Sequence, residues 1–242
     1  MKLKIKNRKE FLSNVLGPIS NLNDSTVIKV EKNKISNITA SQDATLVLYS
    51  ETECESDIDR NLNVGDIKKL VRVLECVDSD ELNLDLNSNN LQYVSDSFKF
   101  KYHLLEDGIM KLPSINIKKI NDLKFDITFK VTEAKLATLF KGAAFTTDTN
   151  KLYVYFENNK IYGELGDRNA QNSDNFQTVI ADAFTGSALT KSIPIKFETF
   201  RLINYSKCNE LEFAINAAYG VIKISLSKGN TKLIYIVSAL IN

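Results

Sequence analysis

The sequence predicts an α+β protein built from two similar halves, each rich in β-strands and carrying two helices. Three observations carry that prediction. Runs that alternate apolar and polar residues far outnumber runs with helical period. The order of elements in residues 1–105 returns in residues 123–242. The composition is that of a folded chain: 43% hydrophobic and 25% charged, with only 9 Gly and 3 Pro in 242 residues, which excludes collagenous and low-complexity architectures.

Residues 2–6 alternate as a strand. The period switches over 7–17, where Phe11, Leu12, Val15 and Leu16 share a helical face, Asn7 is the expected N-cap and Gly17-Pro18 the expected stop. Strands follow at 26–30, 34–40 and 44–49, the first two joined by a Glu31-Lys32-Asn33 turn. A polar loop with Cys54 leads to a short strand at 59–64. Ile67, Leu70, Val71, Leu74 and Val77 mark the clearest helix, 66–77. Strands at 81–86, 91–94 and 98–104 complete the half, separated by turns rich in Asn, Ser and Asp.

Residues 106–122 break this rhythm with Glu106-Asp107-Gly108 and Pro113. They read as an extended interdomain connector whose apolar Leu112, Ile115 and Ile117 pack on something. The expected division is therefore 1–105, a connector at 106–122, and 123–242. In the second half, a strand at 125–131 precedes a helix at 132–145, with Thr132 as N-cap and Leu136, Leu139, Phe140 and Ala143 as the apolar face. Strands are expected at 151–156, 160–165, 176–183 and 193–197, a helix at 198–207, and strands at 211–216, 221–227 and 233–239. Residues 30–35 (VEKNKI) and 156–161 (FENNKI) match at four of six positions, at the same hairpin of each half. The shared order of elements argues for a duplicated fold.

Signals of catalysis are close to absent. The single His, His103, sits on the polar parity of a strand with Lys99 and Lys101. No Cys pair has C-x-x-C spacing, and no phosphate-binding glycine motif occurs. Asp57 with Asp59, and Asp78 with Asp80, are carboxylate pairs in expected turns. No catalytic residue, cofactor or metal is expected, and the chain is read as not an enzyme. Cys54, Cys76 and Cys208 read as reduced thiols, no run approaches a membrane span, and the N-terminus is not a signal peptide. A cytoplasmic protein is expected, in the host cytoplasm if viral.

The element order, the duplication, the connector at 106–122 and the length together resemble the DNA sliding clamps. The likeness is greatest to the trimeric clamps of T-even-type bacteriophages; the proliferating cell nuclear antigen of eukaryotes shares the plan. The resemblance implies two-domain subunits joined head to tail into a homotrimeric ring. Helices would line a hole for double-stranded DNA, and the replicative DNA polymerase and a clamp loader would be partners. The ring would confer processivity without chemistry. Two alternatives remain beside it: a two-domain β-rich phage tail or baseplate protein, and a hydrolase or nuclease using distant carboxylates such as Asp57 and Asp59.

A ring that slides must attract phosphates without reading bases. The expected DNA-facing cations are Arg8 and Lys9; Lys68, Lys69 and Arg72; Lys135 and Lys141; Arg201 and Lys207. The four expected helices hold these nine cations against the five acids Glu10, Asp66, Glu75, Glu133 and Glu198, a net of about +4 in a chain of net charge +1. By resemblance, subunits join through edge strands carrying Phe98, Lys99, Phe100, Lys101 and Tyr102 on one side and Phe176, Thr178 and Ile180 on the other. Partner peptides would dock in an apolar pocket formed by Leu112, Ile115, Ile117, Val237, Leu240 and Ile241.

Overall fold

The computed structural model describes all residues except 111, 112, 114, 116, 148, 171, 209, 241 and 242, and the backbone only of 118 and 121. The chain divides into two units: residues 1–115 with 227–233, and residues 116–226 with 234–242.

In unit 1, β1 (Lys2–Ile5) leads into a continuous helical segment. It consists of α1 (Arg8–Glu10), a π-helical stretch (Phe11–Leu16) and α2 (Gly17–Leu22). Asn7 caps it, its side chain accepting from the Glu10 N–H at 3.0 Å. The expected stop at Gly17-Pro18 is not observed. In the widened turn the Gly17 N–H bonds the Leu12 carbonyl, five residues back, so the backbone passes Pro18 without needing the N–H it lacks. Pro18, Ile19 and Leu22 are buried, and that burial draws the helix on to Leu22.

The remaining elements of unit 1 are β2 (Thr26–Glu31), β3 (Lys34–Ala40), β4 (Leu46–Glu53), β5 (Glu55–Ser56), β6 (Arg60–Val64), α3 (Ile67–Glu75), β7 (Leu82–Leu86), β8 (Asn90–Val94) and β9 (Lys99–His103). They form one sheet in the order β5-β1-β7-β8-β9, and a second run β6-β2-β3-β4. The π stretch packs on β4, α2 on β3, and α3 on both the π stretch and α2. Residues 227–233, which cluster with this unit, reach β4: Thr231 Oγ1 donates to Thr52 Oγ1 at 3.0 Å.

Unit 2 holds α4 (Ile117–Asn121), β10 (Ile127–Thr132), α5 (Glu133–Gly142), β11 (Lys151–Glu157), β12 (Lys160–Leu165), β13 (Phe176–Ala181), β14 (Phe184–Gly186), β15 (Ile193–Lys196), α6 (Phe197–Arg201), β16 (Glu210–Asn216), and most of β17 (Val221–Lys228) and β18 (Thr231–Ser238). Its sheets run β14-β10-β16-β17-β18 and β15-β11-β12-β13. α5 packs on β13, β12 and β10. Phe140 of α5 stacks against Phe200 of α6 and Tyr205, which locks the two helices together.

The duplication is visible strand by strand. The order β5-β1-β7-β8-β9 corresponds to β14-β10-β16-β17-β18, and β6-β2-β3-β4 to β15-β11-β12-β13. The matching hairpins β2–β3 and β11–β12 are each closed by two residues, with Glu31 opposite Lys34 and Glu157 opposite Lys160. Asn33, Asn158 and Asn159 take the positive φ that these tight turns demand and that asparagine tolerates.

Three expectations are corrected here. The helix expected at 198–207 ends at Arg201, because the Asn204 N–H donates to the Tyr235 hydroxyl at 3.1 Å and Lys207 adopts φ 60°. The strand expected at 176–183 stops at Ala181 and resumes as β14. The connector is not extended throughout, since Ile117–Asn121 is helical.

Candidate nucleic-acid and partner interfaces

The second and third helix starts are set by caps of the same kind as the first. Asp66 accepts from the Lys69 N–H at 2.8 Å, and Thr132 accepts from the Lys135 N–H at 3.4 Å. On α3, Ile67, Leu70 and Leu74 are buried while Lys68, Lys69 and Arg72 are exposed, so the basic residues occupy the solvent face. On α5, Leu136 and Leu139 are buried, Lys141 is exposed and Lys135 half-buried. Arg201 is exposed at the end of α6, its guanidinium 5.6 Å from the Phe197 ring centroid.

Arg8 does not belong to this exposed set. It is only 7% exposed. Its Nη1 donates to the Leu74 and Glu75 carbonyls at 3.1 and 3.4 Å, and its Nε to Ser79 O at 2.9 Å. The cation therefore closes the C-terminus of α3, where the orphan carbonyls and the helix dipole favour positive charge. The expectation that Arg8 faces DNA, as a basic residue opposite the apolar stripe of the first helix, is therefore corrected. Lys207 is exposed but lies in a loop, its backbone N–H bonded to Glu133 Oε1 at 3.2 Å.

Several of the candidate lysines are already paired. Lys68 lies 2.7 Å from Asp24, Lys9 lies 3.7 Å from Asp80, and Lys135 pairs with Asp182. These three carboxylates come from loops, and hydrophobic periodicity gives no signal for them.

Of the strands at the sheet ends, β9 and β13 carry the expected interface residues. β9 ends the five-stranded sheet of unit 1, and β13 ends the four-stranded sheet of unit 2. On β9, Lys99, Lys101 and His103 face solvent and Phe98 and Phe100 are half-buried. The two Phe rings lie within 6.1 Å of Tyr93. Tyr102 is buried. Its hydroxyl donates to the Asp66 carbonyl at 2.8 Å and accepts from the Asp66 N–H at 3.1 Å, tying the edge strand to the start of α3, and burial pushes the phenol's pKa up. On β13, Phe176 and Thr178 are half-buried, whereas Ile180 is 2% exposed. The side chains of Tyr102 and Ile180 thus pack inward, and at those positions only the backbone faces the edge.

Of the expected pocket residues that the structure describes, Ile115 belongs to unit 1 and Ile117, Val237 and Leu240 to unit 2. Ile115 lines a groove of about 710 Å³ in unit 1, with Ile38, Ala40, Ala44, Leu105, Ile109 and Pro113 among its walls. Leu240 lines a separate groove of about 510 Å³ in unit 2, with Pro194, Ala217 and Tyr219. Val237 is fully buried in β18 and cannot line either. Ile117 is half-buried, and Leu112 and Ile241 lie outside the described residues. Tyr219, 73% exposed beside the second groove, was missed by the sequence reading, although an aromatic in a turn of small residues was a usable signal.

Among the described residues, no three His, Cys, Asp or Glu side chains gather as a metal site would require, and no helix is long and apolar enough to cross a membrane.

With this geometry in view, the chain was compared with known proteins. It superposes on proliferating cell nuclear antigen (PCNA) of Thermococcus kodakaraensis with a TM-score of 0.77 at 12% identity, covering 99% of both chains. For A. fulgidus PCNA, solved with the C-terminal region of FEN-1 bound, the TM-score is 0.76 at 14% identity, covering 100% of this chain and 98% of that one. For Entamoeba histolytica PCNA it is 0.75 at 12% identity, covering 99% and 98%. The chain has the sliding-clamp fold. No family model and no curated protein matches the sequence.

Proposed function

We propose that this protein is a DNA sliding clamp. Copies of it join head to tail into a ring around duplex DNA, and the ring tethers a DNA polymerase. The observation that carries the reading is the strand correspondence within the clamp fold. β4 and β13 are equivalent, as are β18 and β9. In unit 1, β4 is covered by the start of β18 through Thr231. Its equivalent β13 is paired on one side only, by β12, and so is β9, the equivalent of β18, by β8. β9 of one copy is thus suited to cover β13 of the next, satisfying two rows of backbone groups that are otherwise a liability.

Three copies and a T-even phage type are the finer reading, supported by the resemblance in element order and length. The solved complex of PCNA2 and PCNA3 from Sulfolobus tokodaii, a clamp-fold neighbour with a TM-score of 0.71, supports assembly between chains. DNA attraction rests on Lys69, Arg72, Lys141 and Arg201, and on Lys207 in the loop after α6. The grooves at Ile115 and Leu240 are suited to apolar side chains of partner peptides from the polymerase and a clamp loader. In this reading the chain catalyses nothing and works in the compartment where DNA is replicated.

Two measurements test the proposal. Sedimentation equilibrium gives a mass about three times the 27.3 kDa chain. Loader-dependent extension of a long primed template by the cognate polymerase is stimulated. A monomer over a wide concentration range, without effect on that polymerase, overturns the reading.

A further inference from the structure

The helix-face cations fall into two groups. Lys69, Arg72, Lys141 and Arg201 have no carboxylate within ion-pair distance among the described residues. Lys9, Lys68 and Lys135 do, and in each case the carboxylate comes from outside the helix; the two shorter pairs are those of Lys68 and Lys135. Asp24, between α2 and β2, lies 2.7 Å from Lys68. Asp182, in the break between β13 and β14, pairs with Lys135 and lies 3.8 Å from Lys160. Lys135 beside it holds the Asp182 carboxyl below its usual range, so the pair is ionised at neutral pH. Both acids remain largely exposed, at 73% and 62%, so they share the surface on which their lysines act.

Exposed pairs of this kind add little to stability. Their effect on a polyanion is larger. A lysine already neutralised by a fixed carboxylate presents a dipole whose field falls off faster than that of a lone charge. It also releases little counterion on meeting a phosphate.

We propose that Asp24 and Asp182 attenuate DNA attraction: they occupy Lys68 and Lys135 and so reduce the number of phosphates the helix faces hold. The proposal rests on the clamp reading. A ring that slides must exchange one set of phosphates for the next, and every additional contact raises the barrier to that exchange. Removing the attenuators frees Lys68 and Lys135, and Lys160 beside Asp182, without adding any cation. The alternative role, offsetting lysines in the first helical turn against the helix dipole, predicts a change in stability and none in DNA binding.

The test is fluorescence anisotropy of a short labelled duplex, titrated with the full-length protein across about 50–200 mM salt. The variants are Asp24→Asn, Asp182→Asn, the charge-matched control Asp57→Asn, and the double variant Lys69→Ala/Arg72→Ala. One added phosphate contact carries a salt slope of about 0.9, a factor of about eight between 1 M and 0.1 M salt. Asp24→Asn and Asp182→Asn are expected to bind roughly three- to eightfold more tightly with a steeper salt slope, and Asp57→Asn to stay within about twofold. If the two attenuator variants match Asp57→Asn while the Lys69/Arg72 variant binds more weakly, the attenuation is overturned and the clamp reading stands. If the Lys69/Arg72 variant also binds like wild type, the DNA-facing assignment fails and takes the attenuation with it.

Discussion

Arg8 closes the C-terminus of α3 from a buried position, and truncating it tests that role. An exposed, phosphate-binding arginine can be truncated at little cost to the fold. The arginine seen here cannot. Arg8→Ala removes a buried charge-assisted bond to Leu74 O and two part-buried bonds to Glu75 O and Ser79 O. A hydrogen bond to a charged group contributes about 1.5–3 kcal/mol. Counting the buried bond in full and discounting the other two, where water can enter, gives a loss of about 3 kcal/mol with the lost stem packing included. The neighbouring Lys9→Ala removes only an exposed pair at 3.7 Å and should change stability by less than about 0.5 kcal/mol. Urea unfolding followed by circular dichroism measures both, and amide exchange across α3 localises the loss. If Arg8→Ala costs under about 1 kcal/mol and instead weakens DNA binding, the capping role is wrong and the solvent-face reading was right.

Other substitutions probe separate links in the argument. A Cβ at Gly142 would lie 2.0 Å from the Phe176 ring, so Gly142→Ala must displace that ring or α5 and is expected to cost about 1–3 kcal/mol in thermal or urea unfolding. Asp66→Ala removes the α3 cap and should cost about 1 kcal/mol by the same measurement. Under native conditions Cys76 should be the thiol that a disulfide reagent modifies, because Cys54 and Cys208 are buried. Burial raises the Cys54 thiol from its ordinary 9.0 to about 11, so its neutral form is the one favoured by folding. Its contribution to stability is complete below about pH 9 and is lost as pH rises toward 11; the stability difference between wild type and Cys54→Ala should shrink over that window.

Much of the fold was legible because two periods alternate cleanly along the chain. β3 and β12 fall at the expected 34–40 and 160–165, where each strand has one face against the core and its turn is marked by asparagine. The misses arise where tertiary contacts override local signals. Gly17-Pro18 reads as a stop, but a π turn and the burial of Ile19 and Leu22 carry the helix past it. Tyr235 takes the backbone N–H of Asn204 and ends the last helix early, from a position 31 residues away. The candidate site was legible in its cations and illegible in their partners. Helical spacing identifies Lys68 and Lys135 as surface residues, whereas the pairing of Asp24 and Asp182 with them depends on how loops return, which no local pattern encodes.

That pairing changes what the near-neutral charge of the chain means. Counting residues by helix leaves an excess of about four positive charges for the proposed lining. The folded chain removes Arg8 by burial, moves Lys207 to a loop, and neutralises Lys9, Lys68 and Lys135 locally. Lys69, Arg72, Lys141 and Arg201 remain on the helices. A protein that must find and grip DNA benefits from many unpaired cations, because affinity scales with the phosphates neutralised. A closed ring is held by topology instead, so each further contact adds friction without adding retention. Lys69, Arg72, Lys141 and Arg201, without a carboxylate partner among the described residues and set beside lysines that carboxylates quench, are the charge pattern expected of a protein whose hold on DNA does not depend on affinity.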